Sequence, residues 1–317
     1  MFSANVTGEL FAVAALALFS MNIVLTKVAA ARLNLNLGFL VSVSVNVLFA
    51  GLLSVVHLLV RNDRLVWNWP GFWLFLLAGA FSTWLGRWFF LESVVRFGPS
   101  RASVFQITSP VFTAVMAWAF LHETLQPLEL AGMGMAVGGL LLVVLVPVGG
   151  SSPTPLDVAA TPAPKVRAKS VLFFQSALVL GIGSSIAYSF GNIFRGSGIR
   201  AWDEALLGAL IGASGGLVLH VLFSKDKALL ASRLKSADRG GVALFAFSGV
   251  VTISAQTCLI VSLKYIPVSV ASLITLCTPV LVFPLSYLLF KNSEKITRKT
   301  VIGGLLTLCG VALIVVT

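Results

Sequence analysis

Arg87 lies near the centre of a long apolar run, with Trp84 three residues before it and Trp88 directly after it. An arginine at the centre of a bilayer costs about 2.5–3.5 kcal/mol even on a permissive scale, so it is expected to face a bundle interior or a wet cavity. A guanidinium group binds a carboxylate or phosphate through two parallel hydrogen bonds, and indole rings can cover an apolar substrate body. The alternative is a structural arginine that pairs with Glu92 or with helix-end carbonyl groups.

Two glutamines are further candidates for a polar lining. Gln256 ends a helical stripe that begins with Ser248 and Thr252 at four-residue spacing, and it lies 169 positions after Arg87. Gln106 adds a side-chain amide to another apolar run. Hydrogen bonds between helices are the alternative role, and each contributes only about 0.6–2 kcal/mol.

Asparagines occur at similar depth in two other apolar runs. Asn22 follows Phe19 and Ser20, and Asn192 follows Tyr188 and Ser189. These side chains, Tyr188 included, are predicted to contact a substrate between two halves of the molecule. Amide bonding between helices remains the alternative for both asparagines.

Pro110 and Pro279 occupy equivalent positions within two apolar runs. A proline inside a helix removes the bond to the carbonyl four residues earlier, which frees the oxygens of Gln106 and Thr275. Backbone freed at this depth must be satisfied by protein or water. Both prolines are therefore predicted to kink their helices, either beside a cavity or as bending points.

The elements that carry these residues are transmembrane helices. The chain is 58% hydrophobic and 10% charged, against about 45–50% and about 25% in soluble domains, which indicates an all-α integral membrane protein. Runs of about 20 apolar residues are long enough to span a bilayer. Ten such runs occur, at roughly 8–30, 36–60, 70–95, 100–121, 127–147, 170–194, 203–223, 240–263, 268–290 and 299–317.

The chain repeats itself at long range. Ser100, Ala102, Ser103, Pro110 and Val111 recur 169 positions later as Ser269, Ala271, Ser272, Pro279 and Val280. A period this long indicates duplication of half a protein. We predict a five-helix repeat over residues 1–148, a flexible linker rich in proline, glycine and serine over 149–169, and a second five-helix repeat over 170–317. Because five is odd, the repeats are predicted to be inverted.

Basic residues predict the orientation. Sixteen Lys and Arg fall on one side of the ten-helix arrangement, and five fall on the other, namely Arg61, Arg64, Arg195, Arg200 and Lys264. The richer side is expected to be cytoplasmic, which puts both termini outside. The net charge of +11 lies in these short loops and in no recognisable nucleic-acid module, so no nucleic-acid partner is expected.

Several motifs resemble the EamA-type drug/metabolite transporter family. The stretch Phe19–Ser20–Met21–Asn22 followed by Lys27 is similar to the family's first-helix Trp–Gly–x–Asn…Lys pattern. Small residues and Pro110, then Glu123, Gly132 and Gly139, are similar to its fourth and fifth helices, and Pro279, Gly303 and Gly310 recur in the second copy. The resemblance implies ten helices in two inverted repeats and transport of metabolites, usually outward. Family members commonly have cytoplasmic termini, the reverse of the charge-based prediction.

Three structural roles are also expected. Glu123 is expected to cap the helix of the fifth run, and Arg195 is expected to lie at the end of its helix. Gly132, Gly134 and Gly139, with Gly303, Gly304 and Gly310, are expected to form faces for close helix packing.

The residues therefore favour a multi-pass transporter of the plasma (inner) membrane. It is expected to move small organic metabolites, with amino acids or amphipathic carboxylates favoured by Arg87, by alternating access between its halves. No GxxxxGK[ST] motif occurs, and no metal, cofactor or enzymatic activity is expected. The alternative is an intramembrane lipid-modifying enzyme, which would need His, Asp or Glu brought together by folding. A membrane scaffold is disfavoured by the polar residues at mid-depth.

Overall fold

The regular elements of the chain are helices. The computed structural model describes residues 4–61, 65–90, 108–123, 126–144, 170–223, 234, 237–278, 281–282 and 298–316. Its elements are α1 (Ala4–Ala30), α2 (Leu35–Val60), α3 (Trp69–Ala78), which continues into a π-helical segment (Gly79–Gly86), α4 (Ser109–Leu121), α5 (Pro127–Val144), α6 (Ser170–Ala201), α7 (Ala205–Phe223), α8 (Arg239–Ser262), α9 (Val268–Leu276) and α10 (Arg298–Val316). Each of these elements overlaps one of the predicted apolar runs.

Four of the described helices are long and apolar enough to cross a membrane. They are the stretches Asn5–Ala30, Asn36–Val60, Ala205–Phe223 and Arg239–Ser262. Shorter apolar helices cover Ser109–Leu121 and Leu130–Gly139. Because a helix in lipid satisfies its own backbone groups, a chain of this composition whose described elements are all helices is a membrane protein. This confirms the predicted class.

The helix packing is the same for both halves of the chain. The first helix of each half packs against the third helix of the other half, as α1 on α8 and as α6 on α3 with its π-helical segment. The second helices follow the same rule, with α2 on α8 and α7 on α3. Three pairs join equivalent helices directly, namely α2 with α7, α4 with α9, and α5 with α10. The halves are therefore interlocked and share one core, which includes Phe75, Ile253 and Leu273.

The first helices of the two halves run in opposite directions. α1 starts beside the end of α8, where a Cβ on Gly8 would lie 2.7 Å from Tyr265. It ends beside the start of α8, where Leu33 lies next to Gly241. α6 ends at the end of the bundle where α1 starts, since Asp203, two residues after α6, pairs with Lys264, the neighbour of Tyr265.

The same local structure begins the third helix of each half. Asn68 precedes α3 and accepts a 2.7 Å hydrogen bond from the Gly71 N–H, and Asp238 precedes α8 and accepts a 2.8 Å bond from the Gly241 N–H. Each cap satisfies one of the unpaired N–H groups in a helix's first turn. The two caps are 170 residues apart along the chain, one more than the repeat offset expected from the sequence.

Close contacts of glycines along α3 and α8 also correspond at an offset of 170. Gly208 lies against the Phe75 ring, as Gly38 lies against the Phe245 ring. Gly79 lies against the Gly212 backbone, as Gly249 lies against the Ser42 carbonyl. At the start of α4 the offset is 169, as one equivalent contact in each half shows. The Ser189 hydroxyl donates to the Ser109 carbonyl, and the Ser20 hydroxyl donates to the Thr278 carbonyl. The first half therefore holds one residue more than the second between these two positions, and the π-helical segment lies there.

The packing of α5 on α10 confirms the predicted glycine faces in part. A Cβ on Gly139 would lie 2.5 Å from the Gly303 carbonyl, and one on Gly310 would lie 2.6 Å from the Gly132 carbonyl. Gly134 and Gly304 were wrongly included, because nothing lies within 4 Å of a Cβ at either position. These two glycines are on the outer sides of their helices.

Candidate functional site

Arg87 directly follows the π-helical segment and points at an aromatic ring of another helix. Its guanidinium carbon lies 3.7 Å from the centre of the Phe39 ring in α2. The His220 ring of α7 meets the same phenyl ring edge-on, with 4.5 Å between centroids. Arg87 is half-buried, so the guanidinium lies among helices and keeps accessible surface. Stacking on an aromatic face stabilises a cation and leaves its N–H donors available for an anion.

The two tryptophans beside Arg87 have other neighbours. Trp84 is half-buried and contacts Phe223 with 4.8 Å between ring centroids. Trp88 is 52% exposed and lies against Phe89. The aromatic ring beneath the guanidinium is therefore that of Phe39, which the sequence did not single out because it is distant along the chain.

Arg195 is a second arginine inside the bundle, and its predicted role at a helix end was wrong. α6 continues to Ala201, beyond the predicted end at residue 194, so Arg195 lies within the helix and is only 9% exposed. It donates to the Asn192 side-chain oxygen over 3.1 Å and to the Ser82 hydroxyl over 2.7 Å. These bonds allow a charge to be buried where hydropathy alone predicts a loop. The three-residue spacing from Asn192 was the available sequence signal.

Tyr188 connects the two arginines. It lies on the same face of α6 as Asn192 and Arg195, at positions i, i+4 and i+7. It is half-buried, and its ring lies against Gly86, the residue before Arg87, where a Cβ would come within 3.3 Å of it. The structure thus brings three of the predicted site residues, Arg87, Tyr188 and Asn192, into one cluster. We call Arg87, Tyr188, Asn192, Arg195 and Ser82 the arginine cluster.

The ion pairs of the described residues lie elsewhere. They join Arg61 to Glu204, Arg200 to Glu123, and Lys264 to Asp203, and all three lie at the bundle end where α2, α6 and α8 finish. Within the described ranges, no carboxylate pairs with either arginine of the cluster. Glu92, the alternative partner of Arg87, lies outside the described residues. Among the described residues the cluster carries a positive charge, and such an environment favours an anion.

Asn22 belongs to a neutral cluster at the equivalent interface, between α1 and α8. The Ser248 hydroxyl of α8 donates to the Asn22 oxygen over 2.6 Å, and it lies 3.5 Å from the Thr26 hydroxyl. The Thr252 hydroxyl donates to the Ser248 carbonyl over 2.7 Å. Asn22 thus joins α1 to α8, the alternative role considered for it. Gln256 is half-buried two turns beyond Ser248 on α8.

The remaining predicted positions lie at the edge of the described residues or beyond them. Pro110 is buried in the first turn of α4, where a missing N–H costs no helical bond. Gln106 and Pro279 lie outside the described residues. The paired kinks and the glutamine ligand stay predictions.

Comparison with known proteins decides the family. The model of the EamA-like transporter family matches residues 6–145 and 175–316. The chain belongs to the EamA-like transporter family. Its match in two segments agrees with the two-repeat architecture read from the sequence.

The fold of this EamA protein also occurs among solved structures. A crystal structure described only as "Crystal structure of protein" superposes with a TM-score of 0.67 at 18% identity, covering 98% of this chain and 97% of that one. At this identity the likeness concerns the fold alone. No curated protein matches the chain.

Glu123 of the EamA motif caps a helix of the opposite half. Its carboxylate accepts from the Val268 N–H over 3.1 Å, from the Ser269 N–H over 3.4 Å and from the Ser269 hydroxyl over 3.1 Å. The prediction that it caps the fifth run was wrong. His122, with φ 55°, turns the chain at the end of α4, and the carboxylate satisfies the unpaired N–H groups that begin α9. The motif therefore joins the two repeats.

Proposed function

We propose that this EamA protein is a secondary transporter that exports small organic metabolites, with amino acids or amphipathic carboxylates as the favoured substrates. The observation that carries the proposal is Arg87. Its guanidinium stacks on Phe39, keeps accessible surface inside the bundle and has no carboxylate partner among the described residues. A substrate carboxylate would supply that partner through two parallel hydrogen bonds.

The surroundings of Arg87 suit an amphipathic acid. Phe39 covers one face of the guanidinium, and Tyr188 places a hydroxyl within electrostatic reach of it. An aromatic ring next to a charged group matches a molecule with an anionic end and an apolar body. Trp84, Gln256 and the asparagines Asn22 and Asn192 remain proposed contributors to the pocket, together with Trp88 and Gln106.

We further propose ten membrane helices in two inverted five-helix repeats that rock to give alternating access. The opposite directions of α1 and α6 and the equivalent packing of both halves support this arrangement. A site near the membrane midplane between two inverted repeats can be exposed to either side by moving one half against the other.

The distribution of basic residues supports an orientation with both termini outside. Because Arg195 is inside the bundle, the sparse side holds four basic residues, five less one, against sixteen on the other side. A reporter fused after Thr317 is therefore expected to be active in the periplasm. A cytoplasmic signal from that fusion would reverse the orientation.

Transport by purified protein in proteoliposomes tests the substrate class. We expect uptake of labelled aryl carboxylates or aromatic amino acids that is absent from empty liposomes. Unlabelled aryl carboxylates are expected to compete at concentrations at least about tenfold lower than the corresponding carboxamides, because the amide keeps the shape and loses the charge-assisted bond. Equal competition by the amides would contradict binding of the anion by Arg87.

A further inference from the structure

The two halves of the protein differ at one place in their third helices. Upstream, α3 and α8 correspond at an offset of 170 residues, as the Phe75 and Phe245 contacts show. This offset extends to Ser82, whose hydroxyl donates to the Ala78 carbonyl as that of Thr252 donates to the Ser248 carbonyl. Downstream the offset is 169. A π-helical turn holds one residue more than an α-helical turn, so the segment Gly79–Gly86, which lies between these positions, has room for the additional residue.

The arginine cluster occupies the same interface as the additional residue. At the offset of 169, Arg195 in α6 corresponds to Thr26 in α1, and Gly191 corresponds to Asn22. A Cβ on Gly191 would lie 2.6 Å from the Ser82 Cβ, so α6 approaches the π-helical segment closely there. In the equivalent interface, α1 on α8, the third helix is a regular α-helix and Thr26 takes the position of Arg195. The π-helical segment and the arginine thus occur together in one interface, where the other has an α-helix and a threonine.

Ser82 is the group through which the segment and the arginine interact. Its hydroxyl hydrogen is used by the Ala78 carbonyl over 2.7 Å, so its oxygen lone pairs remain for the Arg195 guanidinium, also 2.7 Å away. Ser82 and Arg195 are both buried. Burial of a guanidinium is tolerated only with such acceptors nearby.

We propose that the one-residue insertion in the first half positions Ser82 to hold Arg195 inside the bundle, where Arg195 adds a second positive charge to the anion site of Arg87. The part about the anion site rests on the proposed function. Arg195 is then a positioning residue that acts on the substrate through Tyr188 and the local field, since each of its two terminal nitrogens already donates a hydrogen bond, one to Asn192 and one to Ser82.

Thermal stability of the purified protein tests the first part without any transport assay. We compare Ser82→Ala, Arg195→Thr and the double variant. Arg195→Thr is expected to lower the melting temperature by roughly 3–6 °C, and Ser82→Ala is expected to lower it further only when Arg195 is present. Thr252→Ala, the equivalent position in α8, is the matched control and should add its effect to that of Arg195→Thr. Additive losses for Ser82 and Arg195 would overturn the proposed coupling.

Deletion of Thr83 tests the insertion itself, because Thr83 is the residue left without a counterpart if the offset changes from 170 to 169 directly after Ser82. The deletion is expected to lower the melting temperature less in Arg195→Thr than in the natural chain, since no buried guanidinium is then left without its acceptor. An equal or larger loss in Arg195→Thr would overturn the role of the insertion.

Transport kinetics test the second part. Arg195→Thr is expected to raise the KM for an aryl carboxylate about tenfold, the effect of one charge across a few ångströms of protein, and Arg195→Lys is expected to recover most of it. An unchanged KM, with transport still dependent on Arg87, would overturn the second charge and leave the proposed function intact. If transport instead proves independent of Arg87, the proposed function fails, and the melting temperatures still decide the coupling.

Discussion

Replacing Arg87 with methionine is expected to reduce uptake of a carboxylate substrate about a hundredfold or more. Loss of one partner of a desolvated charge pair costs about 2–5 kcal/mol of binding, and each 1.4 kcal/mol is tenfold. Methionine keeps an unbranched side chain over the Phe39 ring but provides no donor for the anion. Initial uptake rates per amount of reconstituted protein, measured in the same proteoliposomes as the natural chain, give the comparison.

The membrane yield of Arg87→Met should not fall. Placing a guanidinium at the bilayer centre costs about 2.5–3.5 kcal/mol, and a methionine side chain carries no such cost. The substitution also removes no ion pair with a described residue. Arg32→Met is a suitable control because Arg32 is exposed at the end of α1. It should transport normally. Normal uptake by Arg87→Met would show that the substrate does not bind at this arginine.

The part of this fold that could be predicted from sequence depends on local patterns. Apolar runs locate the helices because a spanning helix must be apolar over its whole length. The duplication is visible because Pro110 and Pro279, like Gly139 and Gly310, recur at nearly constant spacing. Arg87 is conspicuous because a charge inside an apolar run has a large energetic cost.

Arg195 was missed because hydropathy reports only an average over neighbouring residues. Gly196, Ser197 and Gly198 follow it, a composition typical of a loop. In the structure those glycines allow close contacts, Gly196 with Val268 and Gly198 with the Phe75 ring. The helix continues because tertiary packing and the Ser82 bond compensate for low apolarity. The sequence contains neither of these partners nearby.

The partners of Glu123 and Arg87 could not be predicted from the sequence either, because they are distant along the chain. Glu123 accepts hydrogen bonds from residues about 145 positions away, and the ring under Arg87 belongs to Phe39 in another helix. A one-residue insertion also makes spacing alone ambiguous. Thr83 aligns with Thr252 at the offset of 169, although the hydrogen bond of Thr252 is that of Ser82.

Gly79→Ala is expected to be among the most destabilising single-methyl changes in the protein. Gly79 has ordinary helical angles, φ −64° and ψ −44°, so alanine causes no backbone strain. A Cβ there would however lie 2.7 Å from the Gly212 Cα and closer still to its carbonyl oxygen. Both are backbone atoms, so α3 and α7 must move apart, and overpacking of this kind costs about 1–3 kcal/mol. The melting temperature of the purified protein measures the loss.

Gly134→Ala provides a matched comparison, since it adds the same methyl group to an exposed helical glycine with nothing within 4 Å. Its melting temperature should equal or exceed that of the natural chain, because alanine is favoured over glycine in helices by about 0.5–1 kcal/mol. The changes in melting temperature should therefore have opposite signs. This result is expected only if close contact between the halves, and not helix propensity, decides the effect of alanine at position 79. Equal melting temperatures would mean that α3 and α7 can separate at little cost. That result would contradict close packing of the two halves through Gly79 and Gly212.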